Sequence, residues 1–182
     1  RDVGYLTRPL WDKDMDPWNV TNHYYAFGVP AEKLCKLHNW TPRKKRPKIF
    51  DAVIFSVELD LLEIRLRELW DVVDHFIILE SDKTFTGEEK EMLFANNRDK
   101  FSWAEQKIVY RPCNYLTPLG KGENPFRNEA KMRICMNNII RESGIRPGDL
   151  VINADVDEIP YSHTIDLVRS CEGYPKKLHL EM

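Results

Sequence analysis

The chain has 182 residues, with 27 lysines and arginines set against 29 aspartates and glutamates for a net charge of −2. That length suffices for one domain with a sizeable core, and so even a charge balance carries no polyanion-binding signature, which argues against nucleic acid as a partner. No apolar run approaches the ~18–20 residues needed to cross a bilayer, and no signal peptide or initiator methionine leads the chain, so Arg1 is expected to follow something outside this sequence.

Residues 1–48 show no sustained periodicity and are expected to form an irregular stem or strap. Trp11, Trp18, Tyr24, Tyr25, Phe27 and Trp40 are scattered among Pro, Asp and Asn. So many aromatics favour a strap packed on the domain behind it over a free linker. The basic run Arg43-Lys44-Lys45-Arg46 reads as a solvated linker. Asn19-Val20-Thr21 and Asn39-Trp40-Thr41 are glycosylation sequons. Cys35, Cys113, Cys135 and Cys171 lack the close paired spacing of a zinc site. Together these features point to a secretory lumen, where some of the cysteines would pair.

A regular domain is expected over residues 49–182. Residues 49–57 predict a strand with Ala52, Ile54 and Phe55 in the core. A helix follows, because Leu59, Leu62, Leu66 and Leu69 recur on one face, with Glu63 and Arg67 paired on the exposed side. Residues 72–79 predict a second strand ending at Glu80-Ser81. The loop Thr84-Phe85-Thr86-Gly87 then leads to a short helix over about residues 88–97 and a third strand over 107–110. Asn124 can cap the next helix and Pro125 begin it. Its stripe of Met132, Cys135, Met136, Ile139 and Ile140 makes Cys135 a core residue, and Gly144 closes it. Arg146-Pro147-Gly148-Asp149 turns into a short buried strand over 150–152. A last helix over 165–171 leads to an apparent strand at 177–180 that the chain end interrupts, so the sequence is expected to be part of a longer protein.

Strands alternating with helices define an α/β fold with a mostly parallel sheet. No Gly-x-Gly-x-x-Gly follows the first strand and no Walker loop is present, which leaves dinucleotide dehydrogenases and P-loop enzymes poorly supported. Asp155-Val156-Asp157-Glu158-Ile159-Pro160 places three acids at the carboxyl end of a strand, where open α/β sheets bind their ligands. Pro160 biases Ile159 toward extended geometry. Were the strand to continue, Asp155 and Asp157 would share a face, and a hard divalent ion completed by substrate phosphates would relieve their repulsion. The plainer alternative is a solvated acidic loop.

Phe50-Asp51-Ala52-Val53-Ile54-Phe55-Ser56 with Glu58-Leu59-Asp60-Leu61-Leu62-Glu63-Ile64-Arg65-Leu66 resembles glycosyltransferase family seventeen. So do Glu80-Ser81 with Thr84–Gly87, Gly122-Glu123-Asn124-Pro125-Phe126 and the acidic segment Asp155–Pro160. Leu34–His38 and Trp40 look most like its plant and fungal branches. The resemblance implies a GT-A-like fold, a type II Golgi topology, a UDP-N-acetylglucosamine donor and an N-glycan acceptor. It also implies that Asp157 holds manganese or magnesium, with Asp155 on the metal or the ribose. Glu158 would orient the site or cap the next segment. Ser56, Glu58 and Glu80 end strands where a uridine would lie, with capping as their other role. Arg133 would face the diphosphate or form a surface ion pair. Inversion at the sugar needs a general base, which these residues leave unassigned. Two rival readings remain. A haloacid-dehalogenase-like phosphatase would use Asp155 as nucleophile and Asp157 as acid/base, but Ile159 and the short remaining chain disfavour it. A catalytically silent carbohydrate-binding domain would keep only the fold.

Overall fold

A computed structural model describes residues 28–120, 122–124 and 126–180. In chain order the elements are α1 (Ala31–Leu37), β1 (Thr41–Pro42), β2 (Ile49–Phe55), α2 (Leu59–Leu69), β3 (His75–Glu80), α3 (Leu93–Asn96), a 3-10 segment (Arg98–Lys107), β4 (Ile108–Pro112), α4 (Phe126–Glu142), β5 (Leu150–Asn153), α5 (Ser162–Ser170) and β6 (Cys171–Glu172). They fall into two compact units. Pro47–Ile159 forms one, and the segments on either side of it form the other.

The continuous unit is built on a parallel sheet in the order β4-β3-β2-β5. Its central strand β2 is buried on both faces, which is why its sequence reads as a nearly unbroken apolar run. On one face Phe50, Ala52, Ile77 and Leu79 meet Met132, Met136 and Ile139 of α4. On the other, α2 buries Leu62, Leu66 and Leu69. Phe94 packs there too, edge-on to Phe55 with ring centroids 6.2 Å apart. The Glu63–Arg67 pair forms as expected, at 2.8 Å. Asn124 Oδ1 accepts the Phe126 amide at 3.0 Å, and Gly144 beyond α4 takes φ +82.

Several expected boundaries move. The strand expected from residue 72 begins at His75, because Val72 and Val73 lie in the turn after α2. The helix expected over 88–97 shrinks to α3, and a 3-10 segment that the sequence pattern did not reveal follows it. β5 is not a buried strand but the edge of the sheet, with alternate residues exposed and Val151 39% accessible. Its short apolar run follows from backbone pairing with β2 rather than from burial on two faces.

The other unit brings the two flanking segments together. β1 pairs antiparallel with β6, Thr41 opposite Glu172 and Pro42 opposite Cys171. A Cys35–Cys171 disulfide joins α1 to β6 beneath Trp40, and Leu167 of α5 completes that small core. Arg43 donates through Nε to the Cys171 carbonyl and through a terminal nitrogen to the Tyr174 hydroxyl, both at 2.7 Å. The segment expected to be irregular up to residue 48 therefore holds a helix and a paired strand. The last helix stops at Ser170 so that Cys171 can join the ladder, and residues 177–180 form no strand. Cys135 is not simply a core residue: it is bonded to Cys113, so all four cysteines are paired. Trp11, Trp18, Tyr24, Tyr25, Phe27 and Asn19 lie outside the described residues.

Candidate functional site

The chain runs outward from β2 through β3 to β4, then returns to the other side of β2 as β5. The sheet order therefore reverses between β2 and β5. In an open parallel sheet such a switch point leaves a crevice beyond the carboxyl ends of the two strands, where ligands bind. Ser56 and Glu58 follow β2 directly, and Asp155, Asp157 and Glu158 follow β5. Parallel pairing carries both groups to the same end of the sheet.

The register that delivers the acids is fixed locally. Asp149 accepts the Lys48 amide at 3.0 Å and the Arg146 amide at 2.8 Å, while Gly148 takes φ +96 in the turn before β5. The strand then ends at Asn153, so Asp155 and Asp157 sit in a turn rather than on one strand face. Both are exposed, and no hydrogen bond or ion pair engages their carboxylates among the described residues. Glu158 differs. Its Oε2 accepts the Asp155 amide at 3.0 Å, so this side chain caps the loop that carries the other two acids.

What holds the loop is Arg65, a residue given no role by sequence reasoning. Its side chain is fully buried on α2. Nε and one terminal nitrogen grip both carboxylate oxygens of Asp51 at 2.8 and 2.7 Å. The other terminal nitrogen donates to the carbonyls of Asp155 at 2.9 Å, Glu158 at 2.7 Å and Val156 at 3.4 Å. A charged, forked donor therefore fixes the acid loop by its backbone and leaves the aspartate side chains free. The signal was present in the sequence. Arg65 interrupts the apolar stripe of α2 between Leu62 and Leu66, and Asp51 interrupts an apolar strand. Two opposite charges buried on facing elements are stable only if paired.

Glu80 and Glu58 take on capping roles. Glu80, at the end of β3, is fully buried; it accepts the Phe94 amide at 2.9 Å, the Ala95 amide at 3.3 Å and the Tyr110 hydroxyl at 2.9 Å. Burial, followed by that bond to Glu80, pushes the Tyr110 hydroxyl pKa up. Glu58 Oε2 accepts the Val57 amide at 2.9 Å and the Ser56 amide at 3.3 Å. Arg133 lies on the solvent face of α4, ion-paired with Glu129 at 2.8 Å.

Lys90 is the second residue that the sequence did not bring forward. Its Nζ donates to the Ser56 carbonyl at 3.1 Å and lies 4.0 Å from the Glu80 carboxylate. Burial holds its pKa below the ordinary lysine value, although Glu80, Glu58 and Asp82 pull the other way. It is a cation placed where β2 and β3 end. Nearby, Asn128 of α4 donates to the Phe85 carbonyl at 3.1 Å and the Thr117 carbonyl at 2.9 Å, tying two loops together. Gly87 permits their contact: it has φ +85, and a Cβ there would stand 2.6 Å from the Thr117 oxygen.

Among the described residues no three His, Cys, Asp or Glu side chains gather into a ready-made ion cage. Two free carboxylates at a switch point nonetheless suit a hard divalent ion, which binds through one or two carboxylates plus substrate phosphates. The donor set fits such an ion.

These features define a parallel α/β protein with an acid-bearing loop held at its topological switch point. The chain belongs to glycosyltransferase family 17, whose profile matches residues 1–182. It is similar to the β-1,4-mannosyl-glycoprotein 4-β-N-acetylglucosaminyltransferases of Rattus norvegicus, Homo sapiens and Mus musculus, each 26% identical over 167 residues. Those alignments cover 88% of this chain and 31% of each relative, so the chain spans about a third of their length. No solved structure matches the chain at a significant level.

Proposed function

We propose that residues 49–182 include the nucleotide-sugar half of a GT-A-like glycosyltransferase, and that residues 1–48 serve as its stem or strap. The whole protein would transfer N-acetylglucosamine from UDP-N-acetylglucosamine to a mannose of an N-glycan, with inversion at the sugar. Its proposed home is the Golgi lumen, reached as a type II membrane protein. The observation that carries this reading is the switch point, where the exposed carboxylates of Asp155 and Asp157, without a partner among the described residues, stand on a loop fixed by Arg65. Both relatedness to N-acetylglucosaminyltransferases and the paired cysteines support it.

In this reading Asp155 and Asp157 hold manganese or magnesium, which when bound supplies charge neutralisation for the departing diphosphate. Arg65 keeps the two carboxylates at a constant position by gripping the carbonyls on either side of them, so their geometry is set before donor arrives. Glu158 orients the same loop. Ser56, with its carbonyl tied to Lys90, borders the nucleoside, while Glu58 and Glu80 shape that border through the amides they cap. Arg133 would meet the diphosphate only by releasing Glu129.

Calorimetry with UDP, with and without manganese, tests the proposal. UDP and manganese should bind together and each weakly alone. Equal UDP affinity in the presence of a chelator would overturn the metal-bridged site. Binding without any transfer by the whole protein would leave a silent carbohydrate-recognition module in its place.

A further inference from the structure

We infer that Asn39 carries an N-linked oligosaccharide, and that it is attached before the Cys35–Cys171 bond closes. The sequon Asn39-Trp40-Thr41 follows α1 directly. Asn39 is exposed and has φ +56, the only described residue other than glycine with a positive φ. Asparagine tolerates that left-handed geometry better than almost any other residue with a side chain. Its side-chain amide therefore reaches solvent from a position the local fold maintains. Leu37, two residues earlier, is 72% accessible, so a glycan here would stand beside an otherwise bare apolar side chain. All four cysteines are paired, which fits the oxidising compartment where such glycans are made.

The chemistry requires a lipid-diphosphate-linked oligosaccharide and the host enzyme that transfers it. Asn39 Nδ2 attacks the anomeric carbon and forms an N–C bond. The C–O bond to the diphosphate breaks, the diphosphate leaves with the bonding pair, and the amide nitrogen gives up one proton to the transferring enzyme. That enzyme must wrap the tripeptide and read the hydroxyl of its third residue.

In the folded chain the Asn39 side chain is exposed, but the backbone and the flanking side chains that the enzyme must grip are engaged. The Asn39 amide donates to the Lys36 carbonyl at 3.1 Å, and the Trp40 amide to the Cys35 carbonyl at 2.8 Å. Trp40 is stacked on His38 at 4.8 Å and set edge-on to Tyr174 at 5.3 Å. The Thr41 hydroxyl donates to the Glu172 carbonyl at 3.4 Å, and Thr41 lies in the ladder opposite Glu172. Cys35 and Cys171 are 136 residues apart, so the contacts that engage Thr41 and the edge of Trp40, made by Glu172 and Tyr174, cannot form until the chain has been made past those residues. Thr41 stays open throughout that interval.

The test is to make the protein in a eukaryotic secretory host and to map its peptides after glycosidase release in heavy-oxygen water, which marks the attachment asparagine as a labelled aspartate. Labelled Asn39 is expected. Asn39→Gln and Thr41→Ala should each abolish the label, whereas Thr41→Ser should keep it, so a loss through misfolding alone is recognisable. Unlabelled Asn39 in the secreted, disulfide-bonded protein overturns the inference. The order of events is read with microsomal transferase and unglycosylated protein. The reduced, unfolded chain should accept glycan at Asn39, and the oxidised, folded chain should accept at least tenfold less. Equal acceptance by both overturns the ordering.

Discussion

The ends of β3 and β5 both carry acids at the same edge of one sheet, yet they use them in opposite ways. Glu80 is buried and its oxygens are occupied by the Phe94 and Ala95 amides and the Tyr110 hydroxyl. At β5 the polarity is reversed. A buried cation, Arg65, occupies the backbone carbonyls, and the carboxylates of Asp155 and Asp157 face solvent without partners among the described residues. The contrast separates an acid that shapes the scaffold from one available to a ligand. Strand-end position alone cannot make that distinction, because both sites have it.

The sharpest way to break the comparison is Arg65→Met. It leaves the Asp51 carboxylate buried and unpaired, and removing one partner of a buried pair costs about 3–5 kcal/mol. Urea denaturation measures the loss. Asp51→Leu combined with Arg65→Met should lose less than Arg65→Met alone, because no stranded charge remains. Next in size is Glu80→Gln, which keeps the shape but exchanges a charged acceptor for a neutral one. It should lower stability by about 1–2 kcal/mol by the same measurement. Asp155→Asn and Asp157→Asn should shift stability by less than about 0.5 kcal/mol, as exposed substitutions do. Asp157→Asn should nonetheless abolish manganese-dependent UDP binding in calorimetry. If Glu80→Gln did so while Asp157→Asn did not, the two strand ends would have exchanged roles.

The smallest effect is expected from His75, at the opposite end of β3. Burial, reinforced by Lys48, holds its pKa below the ordinary 6.5. Above 6.5 both folded and unfolded states are neutral and this histidine leaves stability unaffected. Below it the unfolded chain takes up the proton more readily, so stability declines as pH falls toward the folded value. Melting temperatures at pH 7.5 and 5.5 should differ less in His75→Gln than in the parent chain, with both strand-end sites unchanged.

Much of this arrangement was legible in the sequence, and the exceptions have physical causes. Leucine spacing gave α2, the stripe from Met132 to Ile140 gave α4, and alternation of strands and helices gave a parallel sheet. Apolar content does not separate a central strand from an edge strand, so the run at β5 reads as buried although it lies at the sheet edge. Spacing also failed at α3, where a fully buried Glu80 and the Phe94 ring organise a segment with no helical period of its own. For the site, Asp155, Asp157 and Glu158 stood out as a motif, but Arg65 did not. Arg65 shows in the sequence only as a break in the apolar stripe of α2, and nothing local tells what it pairs with, because Asp51 and the β5 loop are remote in sequence. The cysteine pairs were equally out of reach, since four cysteines allow three pairings.

The path of the chain through its first disulfide has a practical consequence. Cys35 and Cys171 bracket the whole continuous unit, Pro47–Ile159, between two covalently joined flanks. A protease that nicks any single bond between those sulfurs cannot release a fragment. The cut protein would migrate as one species on a non-reducing gel and separate into two only after reduction. An intact band without reductant is therefore no proof of an unbroken backbone in this protein.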